Sequence, residues 1–246
     1  MKTLRRIAPA LALLIIAPLI AEFLLGDFSI RQIGFVLVFI PQYGGGALLV
    51  RETTRRARRG WPTMLLLALA YTLIEEGFTT QTLFNPNYAG QRLLDYGFMP
   101  ALGTSLYWTS YVLTLHVVWS VGSSVALAEG IAGERWREPW LRLPRLIAVV
   151  ALFLFGCAFT TVFTLRTFLF VASPVQFSAV AIALVAVIAG AFMGFRAYHI
   201  DADEPSLGLT GEGNKGGPSF CCGIRASLAP PHPVQQLVFP TCVLVY

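Results

Sequence analysis

Residues 146–170 read LIAVVALFLFGCAFTTVFTLRTFLF, and residues 173–195 read SPVQFSAVAIALVAVIAGAFMGF. Arg166 is the only charged residue in either stretch. A hydrocarbon layer about 30 Å thick is crossed by roughly 20 mostly apolar residues in helical form, so each run is a membrane helix by length and composition. Pro174 suits the first turn of the second helix, where its missing N–H costs nothing. Backbone groups in lipid have no water to bond, which leaves the helix as the only local solution for runs like these.

Four more runs of this kind lie upstream, at 7–26, 33–50, 61–84 and 105–128. The expectation is an all-α membrane protein, a bundle of about six transmembrane helices spanning residues 1–200. The whole chain agrees: of 246 residues 56% are hydrophobic and only 13% charged, with a mean hydropathy of +0.67, too apolar for a water-soluble domain of this size. The stretch after Met1–Arg6 resembles a signal peptide at first, but it runs to about Leu25 and carries Glu22 where a small-residue cleavage site belongs, so a retained first helix is expected. The 33–50 run contains Gly44-Gly45-Gly46, which suits a bend or a close helix contact.

The net charge of +5 and pI near 9.2 are explained by where the basic residues fall. Lys2, Arg5, Arg6, Arg51, Arg55, Arg56, Arg58, Arg59, Arg135, Arg137, Arg142, Arg145 and Arg196 fall at one set of span ends, and only Arg31, Arg92 and Arg166 at the other. Basic residues are retained on the cytoplasmic side, so both termini are expected there. The Arg51–Arg59 cluster reads as a topology determinant with a secondary affinity for anionic lipid, and Arg166 as an anchor whose long stem reaches the headgroups. Trp61, Trp136 and Trp140 on one side, with Tyr88, Tyr96 and Trp108 on the other, suit interfacial aromatic belts. No basic stretch is interleaved with exposed aromatics, so no nucleic-acid partner is expected; the bilayer itself is the principal one.

From residue 201 the composition turns to Gly, Pro and Ser, and a flexible cytoplasmic tail is expected over 201–246. Cys221, Cys222, His232 and Cys242 lie there, and Cys157 lies inside a span, so neither a disulfide framework nor standard zinc-ligand spacing arises.

Chemistry is concentrated in TLIEEGFTTQTLFNPN, residues 72–87. Carboxylates inside hydrocarbon are costly, so Glu75 and Glu76 require a reason. At 1.5 Å per residue they lie about 21–23 Å from the start of their span, His116 about 18 Å from the cytoplasmic end of the next, and Glu22 about 22 Å along the first. These groups therefore fall at one level. Neighbouring helical residues diverge by about 100°, so the two glutamates point differently and one is expected to meet His116. In a dry site such a pair exchanges a proton or holds one divalent metal, such as zinc, together with its water. Thr79, Thr80, Gln81 and Asn85 extend the polar character outward, as the lining of a hydrated cavity would. Glu75, Glu76 and His116 are the candidate catalytic residues, with Glu76 and His116 as metal ligands. Glu22, Gln81 and Asn85 are candidates for contacting a membrane-embedded peptide or small-molecule substrate.

A Glu-Glu pair in one membrane helix followed by a histidine in the next resembles the CAAX protease and bacteriocin-processing family of intramembrane metalloproteases. That resemblance implies a glutamate-activated water attacking a peptide bond, with metal held by Glu and His. It covers about 61–128 and is partial. Thr80 stands where the family carries Arg, Val112 stands where it carries an aromatic partner of the histidine, and no histidine lies inside the fifth or sixth run. The stretch Glu75-Glu76-Gly77 through Gln81 and Asn85-Pro86-Asn87-Tyr88 also looks like uncharacterised bacterial multi-pass membrane proteins, which favours a bacterial inner membrane. Three classes of protein fit these residues: an intramembrane hydrolase, a small proton-coupled transporter or binding protein, and a structural subunit whose polar groups only hold helices together.

Overall fold

The computed structural model describes residues 2–194; the 201–246 region, with Cys221, Cys222, His232 and Cys242, and Arg196 lie outside the described residues. All six apolar runs are helical. Helix α1 is Lys2–Pro18, continued by the π-helical turn Leu19–Leu24; α2 covers Ile30–Arg56; α3 is Trp61–Leu73, continued by the π turn Ile74–Thr79; α4 covers Leu106–Arg137; α5 is Leu143–Phe168; α6 is Pro174–Met193. Strands β1 (Phe98–Met99) and β2 (Thr104–Ser105) pair antiparallel in the 80–104 loop, with Phe98 opposite Ser105.

Five of these helices are long and apolar enough to cross a membrane. The exception is α3 with its π turn, whose apolar character is diluted by adjacent Glu75 and Glu76. That segment is also the one most surrounded by protein, packing against α2, α4 and α6. The apolar windows of α1, α2 and α4 are 44%, 44% and 39% buried, whereas those of α5 and α6 are 11% buried, so the last two helices form the periphery and face lipid.

Local sequence sets the starts of the helices. Ser29 with Gln32, and Ser173 with Gln176, form reciprocal capping boxes, Ser105 Oγ accepts from Trp108 N, and Pro62, Pro144 and Pro174 occupy first turns. Several ends differ from the sequence expectation. Helix α2 runs six residues beyond 50 and α4 runs past 128, because the charged residues there are buried in ion pairs rather than solvated. Helical geometry in α3 stops at Thr79 rather than 84, and Gln81 adopts φ +58°, which turns the chain into the loop.

Small residues allow the close approaches. A Cβ on Gly44 would lie 2.3 Å from Leu14 O in α1, and one on Gly156 of α5 would lie 2.7 Å from Gln42 N. In membranes such contacts replace the hydrophobic force that water supplies elsewhere. The close contact expected of Gly44-Gly45-Gly46 is therefore present, and it joins α2 to α1.

The end of the bundle that carries the Arg51–Arg59 run departs from the simple picture of a solvated basic cluster. Arg51 and Glu52 are both fully buried. Arg51 Nη1 meets Glu52 Oε1 at 2.7 Å and its Nε meets Glu129 Oε1 at 3.2 Å, while Arg55 grips both Glu129 oxygens at 2.8 and 2.7 Å. Glu52 accepts from Trp140 N and Leu141 N, and the Arg51 guanidinium stacks 3.4 Å above the Trp140 ring. Trp140, expected in an interfacial belt, is thus part of the core. Arg51 and Arg55 tie α2 to α4, and Arg51 ties it also to the 138–142 connector.

Candidate functional site

The groups placed at one depth by the sequence converge. His116 lies in the π turn Leu115–Ser123 of α4, and Glu75 and Glu76 lie in the π turn Ile74–Thr79 of α3. The three side chains offer ligand atoms all within 4.8 Å of one another, and all three are buried. His116 Nε2 is 3.3 Å from Glu75 Oε2 and 3.4 Å from Glu76 Oε1. Despite their divergence along the helix, both glutamates reach the imidazole, because the π turn widens the local winding.

The orientation of each group is fixed by a second partner. His116 Nδ1 lies 3.0 Å from the carbonyl of Val112, one turn back; a carbonyl can only accept, so Nδ1 carries a proton and donates it there. The other nitrogen, Nε2, therefore points its remaining valence at two carboxylates. Glu76 is held through Oε2, which accepts from Thr80 at 3.1 Å and from Thr82, and Trp108 Nε1 in turn donates to Thr82 at 3.4 Å. Glu76 Oε1 is left facing His116. Glu75 Oε2 and His116 Nε2 have no hydrogen-bond partner in the protein.

Two separations of this length fit a shared cation. Charge-assisted N–H···O bonds are about 2.7–2.9 Å long. Ligand atoms about 2.0–2.1 Å from a tetrahedral zinc ion lie about 3.3–3.4 Å apart along the tetrahedron's edges, which matches the two observed distances. A histidine that donates its far N–H to a backbone carbonyl is the usual outer-shell arrangement of an imidazole ligand. His116 Nε2 and Glu76 Oε1, with Glu75 Oε2 beside them, are nitrogen and carboxylate donors of the type zinc takes.

Other helices break at the same site. Glu22 sits in the π turn Leu19–Leu24, and Gln42 and Tyr43 sit in the π turn Ile40–Gly44 of α2. Pro18 and Pro41 account for two of these breaks, since each lacks the N–H that an α-helix needs. Glu22 is buried and within electrostatic reach of Tyr43, Glu75 and His116. Trp119 Nε1 ties α4 to this turn through Ile20 O at 3.0 Å. The Tyr43 ring lies parallel to His116 with centroids 6.2 Å apart, and the Tyr71 ring flanks it at 6.5 Å. Among the described residues every π turn carries at least one of these polar or aromatic groups, and π turns inside α-helices are frequent at functional sites.

Gln81 and Asn85 are buried but directed elsewhere. Gln81 Oε1 accepts from Ala172 N at 2.8 Å, fastening the loop to the α5–α6 connection, and Asn85 Oδ1 accepts from Asn87 N in a local turn. Arg166 is exposed near the end of α5, away from the cluster. Gln42, Tyr43, Tyr71 and Thr82 were not singled out by the sequence. Gln42 carried a signal, being a lone amide in an apolar run; the others are too common at helix interiors to stand out.

A bundle of membrane helices around one buried acidic and imidazole centre defines the class: a polytopic helical membrane protein. Residues 11–199 match an uncharacterized membrane protein family, and the chain belongs to it. The match is not to the CAAX protease and bacteriocin-processing family. No curated protein matches, and no solved structure matches.

Proposed function

We propose that this protein is a membrane-embedded metal-dependent hydrolase, with Glu76 and His116 holding one divalent cation such as zinc and Glu75 beside them as the base. One observation carries this reading: the Nε2 edge of a buried imidazole, whose Nδ1 donates to the Val112 carbonyl, faces two carboxylate oxygens at tetrahedral-edge distances, and neither Nε2 nor Glu75 Oε2 makes a hydrogen bond within the protein. Three electron-pair donors pointed at one spot require a cation there, a metal ion or a proton. A bound metal supplies Lewis acidity, which acidifies water and polarises a carbonyl. Glu75 stands within reach to accept the proton, Thr80 and Thr82 hold Glu76 in its ligand orientation, and Glu22 with Tyr43 closes the centre on the α1 side. The substrate class is an amide or ester bond of a peptide or small amphipathic molecule that lies in the bilayer. The basic helix ends assign the termini to the cytoplasm, and a bacterial inner membrane is the proposed location.

Proton-coupled transport is the second reading, favoured by the π turns that interrupt the helices around the centre. Metal content and thermal stability of the detergent-purified protein, compared among wild type, His116→Ala and Glu76→Gln, test the proposal. About one zinc per chain, lost in both variants, is expected. A metal-free wild type whose variants are merely less stable would overturn it, leaving transport or a structural role, which a pH-dependent flux assay then separates.

A further inference from the structure

Hydrolysis inside a bilayer needs water, and buried polar atoms without protein partners are the usual sites of ordered water. Six such side-chain atoms occur among the described residues. Arg59 Nη1 is at the far end of the bundle. Glu75 Oε2, His116 Nε2 and Tyr71 OH belong to the centre, whereas Asn85 Nδ2 belongs to the 80–104 loop and Thr164 Oγ1 to the last turns of α5. Asn85 and Thr164 are 3% and 2% exposed, so bulk water in contact with the folded surface does not satisfy them. Ordered water is the usual partner of such groups.

From Thr164 inward, a series of polar side chains on α5, α2 and α3 leads to the centre. Thr164 and Thr160 stand one turn apart on the inward face of α5, the helix that packs against both the π turn Ile74–Thr79 and the π turn Ile40–Gly44. The Thr160 hydroxyl donates to Gln42 Oε1, Gln42 Nε2 donates to Thr79 Oγ1 at 3.3 Å, and Thr79 donates to the Glu75 carbonyl at 2.6 Å. At the outer end the Tyr88 ring packs 4.4 Å from that of Phe168, and its hydroxyl lies close to Thr164 and within electrostatic reach of Glu76 and Glu75. The seam is otherwise bounded by the lipid-facing, apolar side of α5, where Val162 and Phe163 are exposed.

We infer that water reaches the Glu75–Glu76–His116 centre from the membrane face carrying the 80–104 loop, through a polar seam between that loop and α5 lined by Asn85, Tyr88, Thr164, Thr160 and Gln42. The inference deepens the hydrolase reading, and its test does not depend on metal or activity. The full-length chain with Cys157→Ala, Cys221→Ser, Cys222→Ser and Cys242→Ser receives single cysteines in turn: Thr164→Cys, Asn85→Cys and, as a lipid-facing control, Val162→Cys. A membrane-impermeant cationic methanethiosulfonate is added to sealed proteoliposomes from the side of the loop. Only the thiolate reacts, and a thiol in hydrocarbon does not ionise, so modification at Thr164→Cys and Asn85→Cys is expected at least about tenfold faster than at Val162→Cys. Equal rates at all three positions, in variants that elute as the wild type does on gel filtration, would overturn the seam. A labelled seam in a protein that proves metal-free would instead overturn the hydrolase reading and leave the seam standing.

Discussion

Removing the carboxylate of Glu129 is the sharpest test of how the bundle is held at its basic end. Glu129 is buried, and it takes Arg55 through a two-point contact at 2.8 and 2.7 Å and Arg51 at 3.2 Å. Arg51 is fully buried, and its remaining partners are Glu52 and the carbonyl of Trp136. With Arg56, whose Nε lies 3.6 Å from Glu52 Oε2, the cluster holds five charges, and Glu129→Ala leaves four: Arg51, Arg55 and Arg56 against Glu52 alone. Breaking a buried ion pair by deleting one partner costs about 3–5 kcal/mol, because the survivor is left desolvated and unpaired. The loss is to be read from unfolding in mixed micelles by added denaturing detergent, with Glu129→Gln, which keeps one acceptor, falling between wild type and Ala. Glu129 is 13 residues from His116, so about 20 Å of helix separates it from the candidate site. Metal bound per folded chain should therefore not change. A Glu129→Ala protein within about 0.5 kcal/mol of wild type would refute the argument, since it would mean that the arginines reach water when the partner is lost.

Two further substitutions probe how closely the helices approach the site. An added Cβ on Gly46 would lie 2.2 Å from Tyr71 Cε2, so the ring beside His116 must move by about 1 Å; Gly46→Ala should cost about 1–3 kcal/mol in thermal unfolding and lower metal occupancy. If neither changes, Tyr71 does not pack against the centre as described. Gly77→Ala would put a Cβ 2.6 Å from Val180 Cγ1 on α6 and destabilise by a similar about 1–3 kcal/mol. In that background Val180→Ala should restore stability rather than reduce it further, a coupling that a double-mutant cycle measures directly; additive losses would contradict the contact.

The apolar runs, their number and their helical state were legible in the sequence because lipid leaves a backbone no other way to satisfy its hydrogen bonds. The level of Glu22, Glu75, Glu76 and His116 was legible too, since depth along a helix is only residue count times rise. What the sequence did not carry was lateral placement. Every face of a membrane helix is apolar, so periodicity does not distinguish the lipid side of α5 from its seam side at Gly156, Thr160 and Thr164. Nor did it show that α3, the least apolar of the six, lies amid α2, α4 and α6, where its carboxylates find partners.

The same limit explains Arg51 and Arg55. A basic run beside a membrane span is solvated by default, and only the arrival of Glu129 from α4, 78 residues away from Arg51, turns two of its members into core. The π turns belong to this group as well: Pro18 and Pro41 announce two breaks, but the widened turns at Glu75 and His116 arise where two helices aim polar side chains at one point. The chain's composition by itself thus decided that the protein is a helical membrane bundle with charge at mid-depth, because burial in lipid is a property of single segments. Which charges meet, which arginines are buried and which hydroxyls face one another are properties of pairs of segments, and those the tertiary structure alone decided.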